Sequence, residues 1–414
     1  MYNDGLTKMG TPHFGVSYWI DRLPRRRPSY TRYRGQTDVD VAIIGGGMAG
    51  CATAYALSTA GVRVCLFEAD RIGQGAIGSS TALVMQEPDV DFQDVLDVHG
   101  LRATRTIWRM TRRGALDFVA AIRRLKIPCQ LEAQDSIYFA NDSASAQRLR
   151  YELGLRKKAK LEARWLTVEQ LRRETNVEAE GAIRITGNAQ VEPLRTCLGF
   201  AAAAVKRGAS IHERSPVERI RTGREHVELL TAGGTVRADR LVIATGHPGS
   251  LFKPLARHFR VAETYAVATP PLGARIRAGL GRRRAMLWDT ADPYHYLRWT
   301  RDGRIIFGGG DRSQPHPRSR ARVLVQRTGQ LMYELSVLYP VISGIQPEYA
   351  WSGPSVTTAD GLPYIGPHRN YPRHLFALGF GGNGLAQGFL ASRILLRHYL
   401  GEPAKGDELF GFAR

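Results

Sequence analysis

Three glycines, Gly45, Gly47 and Gly50, stand at G-x-G-x-x-G spacing around Met48 and Ala49, and an acidic residue, Glu68, follows 23 positions after the first. Between a strand and a helix this spacing handles phosphates. The first glycine permits a tight turn, the second lets the backbone approach a pyrophosphate, and the third lets the helix pack closely on the strand. The helix N-terminus then offers free N–H groups and a partial positive charge to the phosphates. A carboxylate at Glu68 suits a ribose hydroxyl and repels a 2′-phosphate, so the block reads as a site for FAD or NAD rather than NADP.

Two further stretches bear on that choice. After Glu68-Ala69 comes a run of small and hydroxyl-bearing residues, Arg71 to Ala82, which includes Gly75, Ser80, Thr81 and Ala82. It could wrap a ribityl diphosphate, for which an NAD enzyme has no need; a flexible polar loop would share its composition. Near the other end, Gly379-Phe380-Gly381-Gly382-Asn383-Gly384 opens a helix that begins at Leu385. Backbone donors and the helix dipole there would face the pyrimidine edge of a flavin, stabilising the negative charge of its reduced form and favouring hydride acceptance. The pattern favours FAD.

Candidate substrate-side residues cluster at Asp289, Tyr294, His295, Tyr296 and Arg298. Strand alternation puts Tyr294, Tyr296 and Arg298 on one face and His295 on the other. On that face Tyr296 and Arg298 would hydrogen-bond and neutralise a carboxylate, and Tyr294 would cover the flavin. An ordinary two-sided strand with its arginine in solvent gives the same pattern. Hydride transfer from a carbon next to nitrogen needs a neutral amine and near-attack geometry more than a dedicated base. There is no G-x-S-x-G and no H-E-x-x-H, so hydrolase and zinc readings have no support.

The elements that must carry these residues follow from periodicity. Val39, Val41, Ile43 and Ile44 make a buried parallel strand, Met48 to Thr59 a helix ended by Gly61, and Val62 to Phe67 a second strand, which together form a βαβ unit. Helices are expected over 101–125, 144–163, 196–207, 320–338 and 385–400. Strands are expected over 136–140, 210–213, 217–221, 227–230, 241–244, 261–269, 285–289, 294–300, 304–307 and 375–378. Residues 1–37, rich in Arg, Pro, Tyr and Gly, read as an irregular extension lying on the body.

Composition narrows the class. At 414 residues the chain suits two or three domains. Its longest apolar stretch, Leu198 to Val205, is far shorter than the ~20 residues a bilayer crossing needs, so no stable membrane insertion is expected. No apolar signal run follows Met1 to Gly10, and the cytoplasm is the expected location. The four cysteines (Cys51, Cys65, Cys129 and Cys197) contain no C-x-x-C pair and read as buried hydrophobes, not a disulfide framework or metal site. Net charge is +20, yet the basic clusters (Arg25-Arg26-Arg27, Arg282-Arg283-Arg284, Lys157-Lys158) are short and scattered without interleaved aromatics. Nucleic acid is therefore not the expected partner: a solvated basic surface with an arginine-rich composition accounts for the charge, and attraction of anionic substrates is the alternative.

These blocks resemble the FAD-dependent oxidoreductase superfamily of D-amino-acid oxidase, glycine oxidase and sarcosine oxidase. The resemblance runs from about Asp38 to Leu400. It rests on V-D-V-A-I-I-G-G-G-M-A-G, on L-V-I-A-T-G at 241–246, on W-S-G-P-S-V-T-T-A-D-G-L-P-Y-I-G at 351–366 and on L-F-A-L-G-F-G-G-N-G at 375–384. It implies an α/β (α+β overall) fold, with a Rossmann-like FAD-binding domain (38–100, 190–255 and 350–405) interleaved with a substrate domain on a mixed or antiparallel sheet (101–189 and 256–349). It implies oxidation of the C–N bond of a small-molecule amine or amino acid to an imine by hydride transfer to flavin N5, with oxygen as the expected acceptor. A quinone-linked dehydrogenase and a basic RNA-modifying flavoprotein are the alternatives. FAD contacts implied by the match are Gly45, Gly47, Gly50, Glu68, Ala69, Ser80, Thr81, Val217, Thr245, Gly246, Asp360 and Gly381 to Gly384. Two departures stand out. Gly353 takes the place of the cysteine that tethers FAD in sarcosine oxidases, so FAD is expected to be non-covalent. Pro354 or Ser355 takes the place of the arginine that holds the substrate carboxylate in glycine oxidase-like members.

Overall fold

The computed structural model describes residues 12–24, 26–281 and 284–414. Arg25, Arg282 and Arg283 of the basic clusters, and the first eleven residues, lie outside the described residues. Around the strand Gly35–Ile44 the chain builds a parallel sheet, because its apolar run Val41 to Ile44 is buried on both faces and needs cover from both sides. The order of its path is Tyr364–His368, Tyr371–Leu378, Gly234–Gly246, Gly35–Ile44, Val64–Phe67 and Ser210–His212. All neighbours from Tyr371–Leu378 onward run parallel, and Tyr364–His368 pairs antiparallel at the edge. The hairpin of Val217–Thr222 and Val227–Thr231 hangs from Gly234–Gly246.

The helices Met48–Thr59, Pro193–Val205 and Gly384–Leu400 pack together against one side of this sheet, in a core that includes Leu57, Phe200 and Phe389. The helix Phe92–Arg124 packs on Gly384–Leu400 within the same core, although most of it falls in the stretch assigned above to the substrate domain. Its backbone breaks at Gly100, where φ is +75°, one residue before the helix start expected from periodicity.

The second sheet is mixed. Its path runs His13–Phe14, Tyr349–Thr358, Phe259–Ala268, Ile305–Ser313, His295–Trp299, Met286–Asp289, Glu132–Phe139, Ala182–Gln190 and Leu83–Val84. The five strands from Tyr349–Thr358 to Met286–Asp289 are antiparallel, and the helix Arg320–Leu338 covers one face. Strand Tyr349–Thr358 lies mostly within the stretch assigned above to the FAD domain, but pairs along its whole length with Phe259–Ala268. Residues 12–37 are not wholly irregular. They add the short strand His13–Phe14 and the one-turn helix Tyr18–Asp21, bury Tyr18 and Trp19, and begin the long strand at Gly35. Among the described residues no helix is long and apolar enough to cross a membrane, and no cluster of three or more His, Cys, Asp or Glu is placed to hold a metal.

Candidate active site

The glycine loop joins Gly35–Ile44 to Met48–Thr59 at the C-terminal edge of the parallel strands, where open α/β sheets take their ligands. Gly45 has φ +108°, and a Cβ on it would lie 2.5 Å from the Ala244 carbonyl. A Cβ on Gly50 would collide with the Gly45 carbonyl, so this glycine sets the close packing of helix on strand and does not face the cleft. Glu68 leaves the end of Val64–Phe67. Its Oε2 accepts from Gly46 N at 2.7 Å, and its Oε1 from Asp70 N at 2.8 Å. Burial pushes the Glu68 carboxyl up, against those two backbone donors.

From this loop a cleft of about 770 Å³ runs between the two sheets. Its wall contains Gly45, Gly47, Met48, Ala49, Glu68, Ala69, Gly75, Ser80, Thr81, Val217, Thr245, Gly246 and Gly381 to Gly384. Tyr294 and Tyr296 also line it. The residues read from three separate stretches of sequence are thus brought into one cavity. Four are not. Gly50 lies beneath the loop; Ala82 is fully buried, with φ +65°; Leu385 turns into the helix core; and Asp360 lies elsewhere.

Asp360 is corrected from a cofactor contact to the centre of an ion-pair cluster. Arg414 donates to it through Nε at 2.7 Å, and His99 Nε2 lies 3.0 Å away. Burial would raise this carboxyl, but the Arg414 guanidinium and the other donors hold it at about 2.

Arg298 is likewise corrected from a substrate contact. It does share the Tyr294–Tyr296 face, but further along the strand that face is covered. Its Nη1 donates to the carbonyls of Thr81 (3.0 Å), Ala82 (3.1 Å) and Val191 (2.8 Å), and its guanidinium lies over the Trp19 ring. Burial pushes it down to about 10. It fastens the wall segment Ser80 to Ala82, which is also held by Trp19 Nε1 donating to the Ser80 carbonyl at 2.6 Å. Nearby, Ser17 Oγ donates to the Gly78 carbonyl at 2.5 Å.

At the other end of the cleft the glycine cluster meets a carboxylate that sequence reading missed. Gly382 N donates to Asp89 Oδ2 at 2.6 Å, and the Tyr294 hydroxyl donates to Asp89 Oδ1 at 3.0 Å. Burial pushes Asp89 up to about 6, with the Gly382 and Tyr294 bonds opposing. The Tyr296 hydroxyl pairs with Thr264 Oγ1 at 3.0 Å. Asp91, Asp94 and Asp311 line the same end, with the stacked rings of Tyr138 and Trp288, 5.3 Å apart. Asp89, Asp91 and Asp94 fall in E-P-D-V-D-F-Q-D, an acid-rich stretch that could have been flagged but has no spacing of a known site.

His295 points away from the cleft and holds two carboxylates, Asp289 Oδ2 at Nδ1 and Glu334 Oε2 at Nε2, each 3.0 Å away. Burial would lower it, but those bonds outweigh it and push it up to about 9, making it a fixed cation and not a base.

The residues present fit FAD. Nothing lies within 4 Å of where a Cβ would stand on Gly47, Gly75 or Gly246, so open space reaches the backbone at three points along the wall. Asn383 Nδ2 donates to the Glu87 carbonyl at 2.5 Å, which fixes its amide, and its buried Oδ1 has no partner among the described residues. The open backbone along the wall suits a long dinucleotide. All four cysteines are buried and none lines the cleft.

Known proteins are similar to this chain in sequence and in fold. Glycine oxidase from Bacillus licheniformis is 26% identical over 383 residues, covering 90% of this chain and 96% of that protein. Gamma-glutamylputrescine oxidoreductase from Escherichia coli is 25% identical over 372 residues, covering 89% and 85%. In fold, the crystal structure of glycine oxidase from Geobacillus kaustophilus superposes with a TM-score of 0.76 at 21% identity, over 91% of this chain and 99% of that one. The family model described as FAD dependent oxidoreductase matches residues 40–397, which takes in the glycine loop, both tyrosines and the C-terminal glycine cluster, and the chain belongs to that family.

Proposed function

We propose that this FAD-dependent oxidoreductase oxidises the C–N bond of a small-molecule amine or amino acid to an imine, with oxygen as the electron acceptor and FAD held without a covalent bond. The observation that carries the reading is the single cleft, which has a dinucleotide loop at one end and Tyr294, Tyr296 and Asp89 at the other. When bound, FAD supplies the two-electron acceptor that takes hydride from the carbon next to nitrogen. The protein binds the nucleotide end through the Gly45–Gly50 turn and Glu68, and walls the cleft with Ser80 and Thr81. At the substrate end Tyr294 and Tyr296 form one side and exclude water.

An amine reaches the site as an ammonium ion and must lose a proton before its carbon can release hydride. Asp89, pushed up to about 6 by burial, is an anion with proton affinity close to neutrality, suited to receive that proton on Oδ1 or Oδ2. The names of the relatives, a glycine oxidase and a γ-glutamylputrescine oxidoreductase, support an amine or amino-acid substrate. The test is anaerobic addition of amines and amino acids to the yellow, FAD-loaded protein. Bleaching by one of them, followed by peroxide release on admitting air, is the expected result. Bleaching reversed only by a quinone would replace oxygen as acceptor, and no bleaching by any C–N compound would overturn the reading.

A further inference from the structure

The chain as a whole carries a net charge of +20, yet the substrate end of its cleft is acidic. Asp91, Asp94 and Asp311 line it, and among the described residues none of the three has a cation within ion-pair distance. Among the described residues the one guanidinium in that wall, Arg156, is 2% exposed and already spent on Glu87 at 2.6 Å and Glu152 at 2.7 Å. Arg298, the other candidate for a substrate carboxylate, is committed to three carbonyls. A substrate carboxylate would therefore meet repulsion without a free positive partner. The stacked Tyr138 and Trp288 rings add aromatic surface that favours a cation. The Asn383 amide, 3% exposed in the same wall, gives its N–H₂ to the backbone and leaves its Oδ1 as one more unpaired acceptor.

We propose that the substrate carries a second positively charged nitrogen, remote from the reacting C–N bond, which Asp91, Asp94 and Asp311 receive beside the Tyr138–Trp288 pair, and that it has no free α-carboxylate. The substrate class is thus a diamine or a longer polyamine. This rests on the amine-oxidising reading above and narrows it. The carboxylates at this end act on the far cation, while Asp89, bonded to Tyr294 and Gly382, serves the reacting nitrogen.

The test uses the FAD-loaded full chain and two matched pairs of probes. In the first, 1,5-diaminopentane and 1-aminopentane are compared by anaerobic bleaching of the flavin. In the second, pentane bearing two terminal trimethylammonium groups is compared with pentyltrimethylammonium by calorimetric binding. Quaternary nitrogens have no lone pair and are not turned over, so this arm is independent of activity. The dication is expected to bind about tenfold or more tighter than the monocation, with the diamine bleaching at correspondingly lower concentration. Asp91→Asn and Asp311→Asn, made separately, are each expected to reduce that ratio to about threefold or less. Equal binding of the two quaternary probes, an unchanged ratio in both variants, or preferred bleaching by glycine over the diamine would overturn the proposal. If the monoamine bleaches as readily as the diamine, amine oxidation stands and the second-cation assignment falls. If no amine bleaches the flavin, the parent reading falls and takes the substrate assignment with it.

Discussion

The Tyr294 hydroxyl donates to the Asp89 carboxylate at 3.0 Å, tying the start of a substrate-sheet strand to the segment that leads into the long helix Phe92–Arg124. Because this bond favours the ionised carboxylate, it opposes the burial that pushes Asp89 up to about 6. If Asp89 takes the ammonium proton, the rate of flavin bleaching rises as pH rises through about 6. Asp89→Asn is expected to abolish that limb and slow bleaching on the order of a hundredfold. Tyr294→Phe removes a stabiliser of the anion, so the limb moves to higher pH. Stopped-flow bleaching from pH 5 to 8 checks both, and a limb that stays in place in Asp89→Asn would assign it to another group.

Arg298 braces the cleft wall at Thr81 and Ala82. Arg298→Met takes a donor away from three carbonyls, of which that of Ala82 keeps the Val191 N–H, and is expected to cost on the order of 3 kcal/mol of stability, with FAD affinity falling about tenfold or more. Flavin fluorescence titration and thermal unfolding measure these. A variant that keeps its FAD and shows only a raised KM would return Arg298 to the substrate.

Gly50→Ala presses a methyl group onto the Gly45 carbonyl and so opens the phosphate turn. Overpacking of this kind is expected to cost about 1–3 kcal/mol and to yield protein purified largely colourless. Gly47→Ala, with nothing within 4 Å of the new methyl, leaves the fold intact and obstructs the coenzyme alone. Comparing the unfolding temperatures of the two coenzyme-free variants separates strain from obstruction.

His374 is 2% exposed among Phe252, Tyr371 and Phe376, and burial pushes it down from 6.5 to about 4. Its folded-state value lies below the unfolded one. The stability it contributes is therefore present above pH 6.5 and is lost as pH falls toward 4, where the loss amounts to about 3 kcal/mol. His374→Phe keeps the ring and removes the titration. Its denaturation midpoint is expected to fall less steeply with acid than that of the parent chain, and parallel curves would refute the assignment.

The glycine-loop half of the cleft was legible because its information is local. Gly45 to Glu68 is one continuous βαβ unit, and its turn, helix start and acid keep their order in space. The second sheet was harder to read. Ala182–Gln190 carries Ile183 and Ile185 in strand alternation, but Gly187 and a register shift opposite Gln134 and Ser136 interrupt the period. Tyr349–Thr358 contains Gly353 and Pro354, which disguise a strand. Alternation placed Arg298 on the correct face, but it cannot tell which part of a face another segment covers, and Trp19 comes from far upstream. Asp89 has no local signature at all, since its environment is made by Tyr294 and Gly382, each about two hundred or more positions away.

Trp19 and Ser17 lie well before residue 40, where the match to the family model begins, yet they brace the carbonyls of Ser80 and Gly78. The wall of the cleft at Gly78 to Ser80 is therefore braced from outside the matched region. Shortening the polypeptide to that region would unclasp one jamb of the cleft's doorway, and flavin leakage would be its first symptom.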